Sequence, residues 1–152
     1  MITHKAFIKL TISCVCLFML GCDNSSGPPS IKETSEARPL LVDRIKLLEQ
    51  YVIFRREYEQ LEYDIFYQNN GGGLVAGPSE WDVRLIAVVP ENEIDLWRQG
   101  VKTQSLDAIP DWVLQTATSI DVSSIKEWYV EDGTTVGIDN EQRLVAYSNF
   151  AN

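Results

Sequence analysis

The stretch Trp81–Val89, WDVRLIAVV, sets the architecture. Trp81, Val83, Leu85, Ala87 and Val89 share one face under the two-residue period of a strand. Asp82 and Arg84 open the other face in polar fashion, but Ile86 and Val88 turn it apolar. The middle and end of this strand therefore require cover on both sides. Pro90 stops it. Glu91–Gln99 then reads as a short helix. Glu91, Glu93 and Asp95 complement its positive start, Arg98 sits near its end and Gly100 terminates it. Ile94 and Trp97 form its buried pair.

Toward the C-terminus, Lys126–Glu131 and Thr134–Asp139 flank Asp132-Gly133, a dipeptide suited to a two-residue hairpin loop. Such a loop pairs Tyr129 with Val136 and Trp128 with Gly137, where the indole covers bare glycine backbone. Asp139–Gln142 turns again, and Arg143–Phe150 (RLVAYSNF) is the last strand. Toward the N-terminus, Tyr63–Gln68 (YDIFYQ) is a first strand or a helix end. The runs 69–73 (NNGGG) and Gly77-Pro78-Ser79 break regular structure. Residues 39–62 read as a long helix. Pro39 suits a first helical position, and Leu41, Ile45, Leu48 and Val52 recur at helical spacing, with Tyr58, Leu61 and Ile65 continuing the stripe less cleanly. Residues 101–124 carry little pattern beyond Ile109, Trp112 and Val113, which suggest a short docked helix or turn. The expectation is an α+β domain over residues 39–152: a mainly antiparallel sheet ending in a three-stranded meander, with a long N-terminal helix and a short helix on one face.

The first twenty-two residues have a different character. Lys5 and Lys9 precede Leu10–Leu20 (LTISCVCLFML), an uncharged run of eleven residues. As a helix it rises only about 16 Å, against roughly 30 Å of bilayer hydrocarbon. A secretory leader fits better than a membrane span. The run ends Met19-Leu20-Gly21-Cys22, followed by a polar Ser/Pro-rich stretch. These residues resemble the signal region of bacterial lipoproteins, over residues 1–22 only. Gly21 and Cys22 match that pattern; Met19 and Leu20 match it less well.

The resemblance implies that Cys22 receives diacylglycerol on its thiol and an acyl group on its new amine. Residues 1–21 would be removed, and the chain held at the periplasmic face of a bacterial membrane. Asp23 after the modified Cys resembles a mark for retention at the inner membrane. Acyl chains on one Cys anchor stably, each buried CH₂ contributing about 0.8 kcal/mol. Residues 22–38 are then the lipidated Cys and a flexible tether, since Asp23–Arg38 has no apolar periodicity.

Cleavage takes away His4, Cys14, Cys16, Lys5 and Lys9 but no acid. The remaining 131 residues carry 11 bases against 22 acids, a net charge of −11. That chain has no His, and its one Cys is acylated. Catalysis by Ser-His-Asp or Cys-His sets and zinc sites of Cys and His fall away. The acidity argues against nucleic acid as a partner. No catalytic residue, metal ligand or cofactor is assigned. Residues 22–76 carry −3 and residues 77–152 carry −8, a field that steers basic partners. Glu80, Trp81, Trp112, Glu131 and Asp132 are the candidate interaction surface. The favoured function is a lipid-anchored, non-catalytic protein-binding domain. The alternatives are an immunity-type inhibitor of a secreted toxin, and an envelope-glycan binder or carboxylate hydrolase built on the aromatics and paired acids.

Overall fold

The computed structural model describes residues 27–71, 77–100, 102, 106 and 108–151. The elements run β1 (Ile31–Thr34), α1 (Leu41–Leu48), β2 (Gln60–Gln68), β3 (Glu80–Val88), α2 (Ile94–Trp97), α3 (Asp111–Thr116), β4 (Glu127–Glu131), β5 (Thr134–Asp139) and β6 (Leu144–Ala151). One-turn 3-10 helices at Ser35–Ala37 and Glu91–Glu93 precede α1 and α2. The strands form one six-stranded sheet in the order β1-β2-β3-β6-β5-β4, antiparallel at every pairing.

β3 and β6 lie at its centre, and the two faces of β3 seed two separate cores. Val83, Leu85, Ala87 and Val89 pack with Leu61, Tyr63 and Ile65 of β2 and Val136 and Ile138 of β5. Leu47 and Leu48 of α1 and Ile94 and Trp97 of α2 close this core from above. On the opposite face, Ile86 packs with Leu144, Ala146 and Trp128, under Val113 of α3 and the segment carrying Val122 and Ile125. The sheet is therefore sandwiched, as the apolar pair Ile86 and Val88 demands.

This corrects the expected arrangement in three respects. The helices do not share one face: α1 and α2 cover one side and α3 the other. Nor is there a long N-terminal helix over residues 39–62. Helix α1 ends at Leu48, and the amides of Gln50, Tyr51 and Val52 close turns back onto Leu47 and Leu48 carbonyls. The apparent helical stripe ran across a change of period. From residue 60 the apolar set is Leu61, Tyr63 and Ile65, alternating as a strand, and β2 pairs with β3 over nine residues from Gln60 to Gln68. A helix there would leave that edge of β3 without backbone partners, which buried peptide groups do not tolerate. Pro39 also lies outside α1, whose N-cap is Leu40.

The third correction concerns the tether. Ile31–Thr34 lies within the stretch expected to be flexible, yet it is edge strand β1, paired with β2 from Tyr67 to Asp64. The Glu33 carboxylate accepts hydrogen bonds from Arg38 Nε at 2.6 Å and from Tyr63 Oη at 3.2 Å, which fixes the strand and the turn after it. Cys22, Asp23 and the leader lie outside the described residues, as do Gly72 and Gly73 of the glycine loop.

The hairpin has the register its loop dictates: Trp128 opposite Gly137 and Tyr129 opposite Val136. Asp132 and Gly133 both take positive φ, 43° and 78°, as a type I′ turn requires. At Gly137 the requirement is space. A Cβ there would lie 2.5 Å from Trp128 Cζ3 and 2.9 Å from Ile125 Cγ2. Gly137→Ala is expected to cost about 2 kcal/mol through overpacking, read as a lower urea midpoint at unchanged slope. An unshifted midpoint would show that the indole is not seated on the glycine.

Candidate functional site

One end of the sheet gathers the start of β3, the end of β6, the β4–β5 hairpin and the point where β1 enters. Across the α1 face at this end runs the irregular segment 51–54 (YVIF). Each end of it is pinned by an aromatic. Tyr51 tilts against Tyr67 with ring centroids 5.4 Å apart. Phe54 meets Trp97 at 5.1 Å and Tyr147 at 5.2 Å, both edge to face, the geometry the ring quadrupoles favour. The Arg56 guanidinium lies 5.7 Å from the centroids of both Phe54 and Trp97. Between the pins, Ile53 projects fully into solvent, 103% exposed.

Beneath this strap is a groove of about 420 Å³, lined by Tyr51–Phe54, Tyr67, Trp81, Val83, Thr134, Tyr147 and Asn149. The sheet register builds it. Tyr67 is opposite Trp81, Val83 opposite Asn149, and Thr134 opposite Asn149, so these side chains project from one face of four neighbouring strands. Much of its polar chemistry is satisfied internally. Trp81 Nε1 donates to Asn149 Oδ1 at 2.7 Å, and Asn149 Nδ2 donates to Thr134 Oγ1 at 2.8 Å. Tyr51 Oη donates to the Pro29 carbonyl at 3.0 Å. Burial pushes the Tyr147 hydroxyl up to about 12, so it stays protonated at neutral pH. Among the described residues, no Asp or Glu lines the groove. Its open surface is mainly aromatic and aliphatic, a lining suited to apolar matter recognised by shape.

The candidate residues read from the sequence divide around this groove. Trp81 lines it. Glu131 is paired with Thr134 across the hairpin, and its carboxylate holds Lys102 Nζ at 2.7 Å. Asp132, exposed at the hairpin tip, forms no ion pair among the described residues. Glu80 is exposed at the first position of β3, in the alternate set to Trp81. Trp112 is elsewhere: it is half-buried against the second core, on the other side of the sheet. Tyr51, Phe54, Tyr67 and Tyr147 were not singled out in the sequence. Their signal is faint: Tyr67 and Tyr147 are aromatics at one-face positions of strands whose pairing the sequence does not state, and Tyr51 and Phe54 lie in a segment of irregular chain.

Other polar constellations hold the fold. Arg98 donates to Asp95, Glu127, Asn140 and the Tyr129 hydroxyl, binding α2 to β4 and to the β5–β6 turn. Among the described residues, no group of three or more His, Cys, Asp or Glu could hold a metal ion, and no helix is long and apolar enough to cross a membrane. Comparison with protein-family models, curated proteins and solved structures gives no match.

Glu62 is sunk into the second core's side of β2, 2% exposed. It accepts four hydrogen bonds, from the amides and hydroxyls of Thr118 and Ser119, at 2.6–2.8 Å. Burial alone would raise its pKa; the four donors outweigh burial and hold it below the ordinary 4.5. The unfolded chain therefore takes up this proton first as pH falls. The stabilisation is complete above about pH 4.5 and is lost as pH drops through the folded value. Glu62→Gln is expected to cost about 2 kcal/mol near neutral pH, with the gap to wild type closing in acid. Urea unfolding of both proteins across that range checks this, and a gap independent of pH would contradict it.

Proposed function

We propose that this chain is a lipid-anchored bacterial cell-envelope protein whose domain binds another protein and performs no catalysis. Cys22 carries the diacylglycerol and acyl groups, Asp23 favours the inner membrane, and the domain stands on the periplasmic face. The leader, the Gly21-Cys22 junction and the polar residues after it support the anchor. The groove supports the binding role. Two of its aromatics stand beside the incoming chain: Tyr51 is bonded to Pro29, and a Cβ on Gly27 would lie 3.2 Å from the Tyr67 hydroxyl. Four residues lie between Cys22 and Gly27, a span of at most about 18 Å when extended. The groove accordingly operates close to the bilayer surface.

The observation that carries the binding role is the mainly apolar groove beside a fully exposed Ile53. Large aromatics in a preformed hollow are the usual anchors of protein interfaces. Labelled palmitate is expected to enter the wild-type protein in its bacterial host and not Cys22→Ser, which should also leave the membrane fraction. A photo-crosslinker at position 53 of the full-length lipidated protein is expected to give a dominant protein adduct that Trp81→Ala weakens. Palmitate uptake by Cys22→Ser would sink the anchor, and adducts to lipid alone would sink the protein-binding role.

A further inference from the structure

We infer that the groove's occupant is a polypeptide segment with an apolar or aromatic centre and lysine or arginine beside it. This rests on the protein-binding half of the reading above and adds the partner's chemistry. The centre follows from the lining. Trp81, Asn149 and Thr134 satisfy one another, and Tyr51 is bonded to Pro29. A ligand that must exchange many hydroxyl hydrogen bonds finds few free partners there. An apolar side chain displaces water from the faces of Tyr67, Trp81 and Tyr147 without leaving those polar groups unpaired.

The basic flank follows from charge. The hairpin bordering Thr134 carries Glu131, which shares the groove face with Thr134, and Asp132 at its tip, while Glu80 belongs to the opposite face. Lys102 answers Glu131 alone. On the strap side, Arg55 Nη1 donates to the Val52 and Phe54 carbonyls at 3.1 Å and its Nε lies 3.7 Å from Glu49 Oε1, so this cation belongs to the roof and has an acid of its own. Residues 77–152, which supply Trp81, Val83, Thr134, Tyr147 and Asn149 of the lining, carry −8 overall. An acidic flank would meet like charge there, and a basic one is drawn in and oriented. The same acids disfavour an anionic bilayer surface as the occupant.

The test uses the full-length chain in neutral detergent micelles and dye-labelled synthetic peptides read by fluorescence anisotropy. One peptide has a Phe-Leu centre flanked by lysines, and a second has the same centre flanked by glutamates. A chito-oligosaccharide and phosphatidylglycerol vesicles are the comparison ligands. The lysine-flanked peptide is expected to bind about tenfold or more tightly than the glutamate-flanked one at low salt, the gap shrinking at high salt. Ile53→Asp should abolish that binding with a stability change within about 0.5 kcal/mol, since a surface side chain is altered. Asp132→Lys should narrow the gap between the peptides.

Equal binding of the two peptides, no peptide binding, or binding of the oligosaccharide or the vesicles alone would overturn the inference. The anchor is read separately. A chain that binds the lysine-flanked peptide but takes up no palmitate keeps this inference and loses the lipid attachment. A palmitoylated chain that crosslinks to protein but ignores both peptides keeps the function and loses the partner chemistry.

Discussion

Strand β3 presents apolar side chains to both of its sides, and that requirement governs the rest of the molecule. Leu85 and Ile86 are neighbours in sequence on opposite faces, and both are fully buried. A sheet with one wet side cannot satisfy them. The chain answers with α1, the 51–54 strap and α2 on one face and with α3 and the Val122–Ile125 segment on the other. Burying a side chain of this size stabilises the fold by about 2 kcal/mol, and the covering segments are short because the sheet, not helix propensity, supplies the surface they pack on. Even six-residue α3 is secure, because Val113 is completely enclosed.

The cover is incomplete at one end, and there the candidate site arises. The strap crosses the sheet as irregular chain held by ring contacts at Tyr51 and Phe54. A continuous helix would have filled that space with side chains. The strap spans it and leaves a hollow whose floor is the ordinary core face of β2, β3 and β6. The aromatics thus serve in both capacities: Tyr147 and Trp97 belong to the core or its margin, and both meet Phe54 edge to face at the end of the strap.

Charge is organised differently on the two sides of the sheet. The buried Glu62 is ringed by four donors, so its negative charge holds the Thr118–Ser119 turn against β2. Arg98 gathers its acceptors at the far end of β4 from the hairpin tip. Most of the remaining acids are on the surface, where they keep a strongly negative chain soluble and shape what approaches it. The hairpin tip combines both roles. Its left-handed residues Asp132 and Gly133 are required by the turn, and the same turn presents acid beside the groove.

The sequence by itself determined the local events: the strand at Trp81–Val89, the Asp132-Gly133 hairpin with Trp128 on Gly137, and the double-sided burial announced by Ile86 and Val88. These depend on neighbouring residues, so a period of two, a turn dipeptide and a missing side chain suffice to read them. The long helix was misread because the apolar spacing of Leu41–Val52 continues by coincidence into Leu61 and Ile65, which belong to a strand. Strand β1 was missed because Ile31–Thr34 has no apolar face of its own and is ordered only by pairing with β2. The groove belonged entirely to the tertiary structure. Tyr67, Trp81, Thr134, Tyr147 and Asn149 are scattered along the chain, and only the hydrogen-bonded register of β2, β3, β6 and β5 brings them onto one face, beneath Tyr51 of the strap. Register is a long-range choice fixed by the fit of both cores at once, and no local pattern encodes it.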